Sequence, residues 1–117
     1  MGEYINKISQ AFRSYLVTYF SNPQEIEVRG LLIEVIKFVK FFPNIDLKNI
    51  KLHELLSGDE ISIDIQGTIQ IVQRITGGSK NTFIEFWANN TTVRFDKNTA
   101  DFELVNIPAL LYIDFNN

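Results

Sequence analysis

The sequence predicts an α+β domain, with two or three N-terminal helices packed on one face of a four- to five-stranded antiparallel meander. Three observations lead there. Near the N-terminus apolar residues recur at helical spacing. From Glu60 onward they recur at every second position. Beyond Gly77 the alternating runs are separated by turn-forming residues. The 117 residues fit one domain, 1–117, and a hydrophobic fraction of 45% with ten Phe supplies one core.

The first helix is expected over residues 3–20. Ile5, Ile8, Phe12, Tyr15, Leu16 and Tyr19 share one side, with Lys7, Gln10, Arg13 and Ser14 on another. Ser21-Asn22-Pro23 stops it. Asn22 suits an N-cap, with Pro23 at the first helical position and Glu25 three residues after the cap. A second helix is therefore expected over 23–41. Its polar stripe of Glu27, Gly30, Glu34 and Lys37 is narrow, and Leu31, Leu32, Ile33, Val35, Ile36, Phe38 and Val39 fill the rest. Such a helix is central, which puts Ile36 between the first helix and the sheet. Pro43 ends it. A short third helix over 47–56, closed by Gly58, follows, although Ile45, Leu47, Ile50 and Leu52 also suit an extended chain.

A strand is expected over 60–76, because Ile61, Ile63, Ile65, Ile69, Ile71 and Ile75 all fall at odd positions. A tight hairpin at Gln66-Gly67 would send Ile69 and Ile71 to the wrong face. A single strand bent at Gly67 keeps them together, with a break or short helix within 68–75 left open. Gly77–Asn81 is a connection. Strands 82–88 and 91–96 flank Asn89-Asn90, a pair suited to a two-residue hairpin turn. That register sets Phe86 against Val93 and Ile84 against Phe95 on one face. On the other it sets Trp87 against Thr92 and Glu85 against Arg94. A second hairpin at Lys97-Asn98, with a loop of two or four residues, leads into strand 100–105. Its expected pairs are Phe95 with Ala100 and Val93 with Phe102, leaving Arg94 between Glu85 and Asp101. After Pro108 comes a last strand, 109–115.

Composition narrows the chemistry. Cys is absent and His53 is the one histidine, so thiolate chemistry and a His-rich zinc site are excluded. His53 has no Ser or Cys close by in sequence and reads as an ordinary helix residue. Glu60 and Asp64 fall on one strand face about 13 Å apart, too far to share a metal ion, and read as a solvated edge. Gly77-Gly78-Ser79-Lys80 lacks the order and spacing of a phosphate loop. Asn89-Asn90-Thr91 and Asn90-Thr91-Thr92 match a glycosylation pattern but read as turn residues. The N-terminus shows no secretory pattern. The longest apolar stretch, 31–42, contains Glu34, Lys37 and Lys40, which is unlike a membrane span. The expected location is cytoplasmic, with no cofactor, metal or membrane partner.

Charge is uneven. Residues 1–51 hold seven basic and five acidic residues, and residues 52–117 hold four and nine. An acidic sheet half argues against nucleic acid as partner. Its outward face is expected to hold Phe83, Glu85, Trp87, Arg94, Asp96, Asp101, Glu103, Val105, Leu110, Tyr112 and Asp114. Aromatic residues beside carboxylates resemble an interaction surface. The expected partner-binding residues are Phe83, Glu85, Trp87, Asp101, Glu103, Tyr112 and Asp114, with no catalytic residue.

These features suit a non-catalytic protein-binding module, such as an inhibitor or immunity-type protein that neutralises a basic partner. This is an analogy of charge and size. The alternative is a small-ligand-binding or dimerising α+β roll, with a pocket in the curled sheet lined by Trp87, Tyr112 and Phe83. A cleft in the sheet favours the roll; a flat or convex acidic face favours the binder.

Overall fold

A computed structural model describes residues 2–45 and 52–116. Its elements are α1 (Gly2–Tyr19), β1 (Gln24–Val28), β2 (Leu31–Asn44), α2 (Leu52–Leu56), β3 (Ile61–Ile75), β4 (Gly78–Asp96), β5 (Asp101–Asn106) and β6 (Leu111–Phe115). All six strands form one antiparallel sheet in the order β1-β2-β3-β4. The far edge of β4 is shared. Its C-terminal part pairs with β5 and its middle with β6. The expected α+β class holds, but the expected two or three helices on a meander do not. Among the described residues, one long helix and one of five residues accompany a sheet that holds most of them.

The correction lies in residues 24–44, which form a hairpin where a helix is expected. Arg29 and Gly30 have φ of 51° and 80°, and Val28 pairs with Leu31. Two successive positive φ values match the right-handed twist of the flanking strands, as hairpin turns require. Ile26, Val28, Ile33 and Val35 point inward between Glu25, Glu27 and Glu34. Beyond Val35 the register with β3 slips at Ile36 and again at Val39. Each slip inserts one residue, so the inward positions become Ile33, Val35, Phe38 and Phe41. That spacing of two, three and three imitates a helical face, and the two bulges are its cause. Ile36 stands at the first bulge, half-buried rather than central; Val35 beside it is the buried residue. Of the expected helix 47–56, residues 47–51 lie outside the described set, and Leu52–Leu56 is helical.

A second correction concerns Asn89-Asn90. β4 runs straight through this pair, and both of its halves pair with β3. Ile65 lies opposite Ala88 and Ile63 opposite Thr91, so the asparagines form a bulge, not a turn. Asn90 takes φ 61°, and its amide donates to the Asp64 carboxylate at 3.0 Å. Asp64 therefore holds the bulge and is more than a solvated edge residue. The hairpin lies earlier, at Thr76-Gly77, with Ile75 opposite Gly78. β3 is unbroken, as the strand expected to bend at Gly67 requires. The loop to β5 has four residues, so Phe95 meets Phe102 and Val93 meets Leu104.

The sheet curls around α1. Ile8, Phe12 and Leu16 are fully buried. Phe12 stacks on Phe86, with centroids 5.7 Å apart, and touches Phe41 at 5.6 Å. Phe20 stacks on Phe38, and Tyr4 meets Phe102 edge-on. The concave face is thus filled by helix side chains and the convex face is left to solvent. Among the described residues no helix is long and apolar enough to cross a membrane.

The new register moves the ion pairs. Arg94 binds Glu103 at 2.6 Å and Glu60 at 3.5 Å, instead of Glu85 and Asp101. Arg94→Glu is therefore expected to lower the melting temperature, and adding Glu103→Arg to recover part of the loss. Glu85→Arg in the Arg94→Glu background should recover nothing. Equal recovery by the two in thermal denaturation would restore the Asn89-Asn90 hairpin.

Candidate binding surface

Alternation along the paired strands β2, β3, β4 and β6 builds the convex face in rows. One row runs Lys40, Gln70, Phe83. The next runs Phe42, Thr68, Glu85, Asp114, and the third Asn44, Gln66, Trp87, Leu111. Phe42, Trp87 and Leu111 are 40%, 43% and 56% exposed. The Phe42 and Phe83 rings lie 6.3 Å apart, and the Lys40 ammonium sits 5.1 Å from the Phe42 ring centre. Asp114 is paired with Arg29 at 3.2 Å. Glu85 is exposed and makes no ion pair among the described residues. The rows enclose a depression of about 340 Å³, lined by Phe42, Pro43, Asn44, Gln66, Gly67, Thr68, Glu85 and Trp87.

The expected site residues divide into three groups. Phe83, Glu85, Trp87 and Asp114 share this face, and Phe42, Gln66 and Thr68 join them. Asp101 and Glu103 are exposed on β5, opposite Asp96 and Arg94. They lie roughly 20 Å along β4 from Trp87, from the rise of an extended strand. There they form, with Glu60 and Asp96, an acidic end in which Arg94 pairs with Glu103 and Glu60, and Lys7 donates to the nearby Ala100 carbonyl.

Tyr112 does not face outward at all. The register of β6 slips between Asp114 and Tyr112, leaving Ile113 as an extra residue. Tyr112 then lies opposite inward-facing Phe86, and Leu111 takes its place beside Trp87. Leu110 likewise packs against the core. Phe42, Gln66 and Thr68 escaped the sequence reading for another reason. Phe42 follows the expected helix 23–41 and belongs to no expected strand, and Gln66 and Thr68 have no expected neighbour on that side of their strand.

A second cavity, of about 460 Å³, lies where the curled sheet brings β1 towards β6, lined in part by Tyr19, Ile26, Leu110 and Tyr112. The Tyr112 hydroxyl is shielded from solvent and faces the Tyr19 hydroxyl without a well-formed hydrogen bond among the described residues. Its phenol is held well above the ordinary value, first by burial and then by the neighbouring Tyr19 hydroxyl. Burial, then Tyr19, raises Tyr15 as well. A raised acid favours its neutral form in the folded state. The stability it supplies is complete below about pH 10, the unfolded phenol's range, and is lost as pH rises above it. Tyr112→Phe is expected to flatten part of that alkaline decline in urea unfolding. At pH 7 it should cost nothing or add up to about 1–3 kcal/mol, since an unsatisfied buried hydroxyl is removed. A clear loss of stability at pH 7 would mean the hydroxyl is bonded.

Among the described residues no three His, Cys, Asp or Glu side chains gather as a metal site, and His53 is exposed on α2. No known protein family, curated protein or solved structure matches the chain.

Proposed function

We propose that this protein is a non-catalytic binding module that receives a basic protein partner on the convex face of its sheet. The supporting observation is the aromatic group of exposed Phe42 and Trp87 with half-buried Phe83, set on β2 and β4 of a sheet whose opposite side is filled by α1. A monomer gains nothing by exposing Trp and Phe on one sheet face, whereas such residues dominate the energetics of interfaces. The alternative roll needs room on the concave side; Ile8, Phe12 and Leu16 fill its middle, and the cavity between β1 and β6 is the space it has left. The acidic end at Glu60, Asp96, Asp101 and Glu103 gives the partner its sign, in the manner of an inhibitor that draws in a basic target.

The two regions have separable roles. Charges steer the encounter, and exposed charges are screened beyond about 8–10 Å at physiological salt. Buried aromatic contact sets the lifetime of the complex. The test is association kinetics with the protein that co-purifies with the tagged chain, at two salt concentrations. Trp87→Ala should mainly speed dissociation, by tenfold or more at the about 2 kcal/mol typical of an aromatic anchor. Asp101→Asn with Glu103→Gln should mainly slow association. A folded Trp87→Ala variant that binds like the parent, with no effect of salt, would remove this face from consideration.

A further inference from the structure

The depression beside Trp87 has a composition that specifies more than a flat contact. Its lining includes Trp87 and Phe42, with Gly67 and Thr68 of β3 between their strands. Two side-chain amides, Asn44 and Gln66, stand at its rim. Glu85 is the only charged residue that lines it, and that carboxylate has no ion-pair partner among the described residues. An anion is therefore excluded by charge. An aliphatic anchor would strip water from Glu85 and from both amides without replacing the hydrogen bonds, which is costly.

A cation meets each group on its own terms. Aromatic faces attract cations, and a carboxylate takes a guanidinium through two parallel N–H donors. The guanidinium is also planar and weakly hydrated, so it stacks on an indole where an ammonium does not. Its remaining N–H groups match the carbonyl oxygens of Asn44 and Gln66 and the Thr68 hydroxyl. Lys40 supplies an internal precedent. It does not line the depression, yet its ammonium rests 5.1 Å from the centre of the Phe42 ring. A volume of about 340 Å³ is ample for a guanidinium and its aliphatic stem.

Resting on the protein-binding function above, we propose that this depression is the anchor pocket for one arginine side chain of the basic partner. Trp87 forms the stacking wall, Glu85 is the bidentate acceptor, and Lys40 is a resident cation that competes for the Phe42 face.

The single tryptophan of the chain makes the pocket directly observable. The indole N–H resonance of Trp87 is followed by NMR while acetyl-Gly-Arg-Gly-amide is added, and again with the citrulline, lysine and glutamate analogues. A saturable shift is expected with arginine. The citrulline peptide, of the same shape without the charge, should bind about tenfold more weakly, and so should arginine to Glu85→Gln. Lysine should fall between, and glutamate should give no saturable shift. Lys40→Met should bind arginine as well as the parent or more tightly. Equal binding of arginine and citrulline, no saturable shift with arginine, or weaker binding by Lys40→Met would each overturn the proposal. So would a saturable shift with maltotriose in place of arginine, which would make the pocket a saccharide site. Failure here is distinct from failure of the surface itself. If the co-purified partner binds the parent and loses affinity with Trp87→Ala while the arginine peptide does nothing, the face binds protein without an arginine anchor.

Discussion

Phe12→Ala is expected to remove about 3–5 kcal/mol of stability, the largest single effect of any side chain in α1. The ring is fully buried and lies between two sheet residues, stacked on Phe86 and tilted against Phe41. Truncation leaves a cavity at the centre of the concave face. Strands on three sides are tied by backbone hydrogen bonds and cannot collapse into it. Domains of this size have about 5–15 kcal/mol in total, so the variant should unfold at much lower urea and melt about 10 °C or more below the parent. Val17→Ala is the control, because Val17 lies on the same helix with 46% of its surface exposed, and it should stay within about 1 kcal/mol. Similar urea midpoints for Phe12→Ala and Val17→Ala would mean that the helix does not lie in the sheet as described.

Gly67→Ala is expected to cost about 3 kcal/mol, although it adds a single methyl group. Gly67 lies opposite Pro43 within the unbroken strand β3. A Cβ there would meet the carbonyl oxygen of Phe42 well inside van der Waals contact, and Cε1 of Phe41 at 3.0 Å. The ring has some freedom to move, but the carbonyl belongs to the backbone of β2 and does not. Relief requires β2 and β3 to separate, which breaks their ladder and flattens the curl around α1. Gly78→Ala provides the comparison, since a Cβ at Gly78 meets nothing within 4 Å. That change should be neutral or slightly stabilising, by a few tenths of a kcal/mol. Equilibrium unfolding of both variants separates close backbone approach from a general penalty on replacing glycine in this sheet. Equal stabilities would rule out the close approach.

These two residues also mark what was legible from sequence. The helical spacing of Ile8, Phe12 and Leu16 is uninterrupted, so α1 was readable and all three are buried. The odd-numbered isoleucines of β3 were readable too. The argument that a turn at Gly67 would split them leads to one strand through Gly67, and β3 is unbroken there. Where period two is broken, the reading failed. Bulges at Ile36 and Val39 turned a strand's spacing into that of a helix. The Asn89-Asn90 bulge changed the inward positions of β4 from even to odd, and a tight turn there explains the same pattern equally well. The slip at Ile113 moved Tyr112 from the candidate face to the core side.

The sequence by itself determined an α+β chain with an amphipathic first helix and an alternating second half, because intact periodicity records directly which residues a local element buries. It also placed Phe83, Glu85 and Trp87 on one face, since residues two apart on a strand always share a side. Only the tertiary structure decided which strands pair, that Phe42 comes from β2 to join Trp87, and that Asp101 and Glu103 stand apart from both. A bulge changes the register by one residue and reverses every side chain beyond it. What fixes a bulge is distant in the chain. The Asp64 carboxylate accepts the Asn90 amide from 26 residues away, and no local pattern contains that contact.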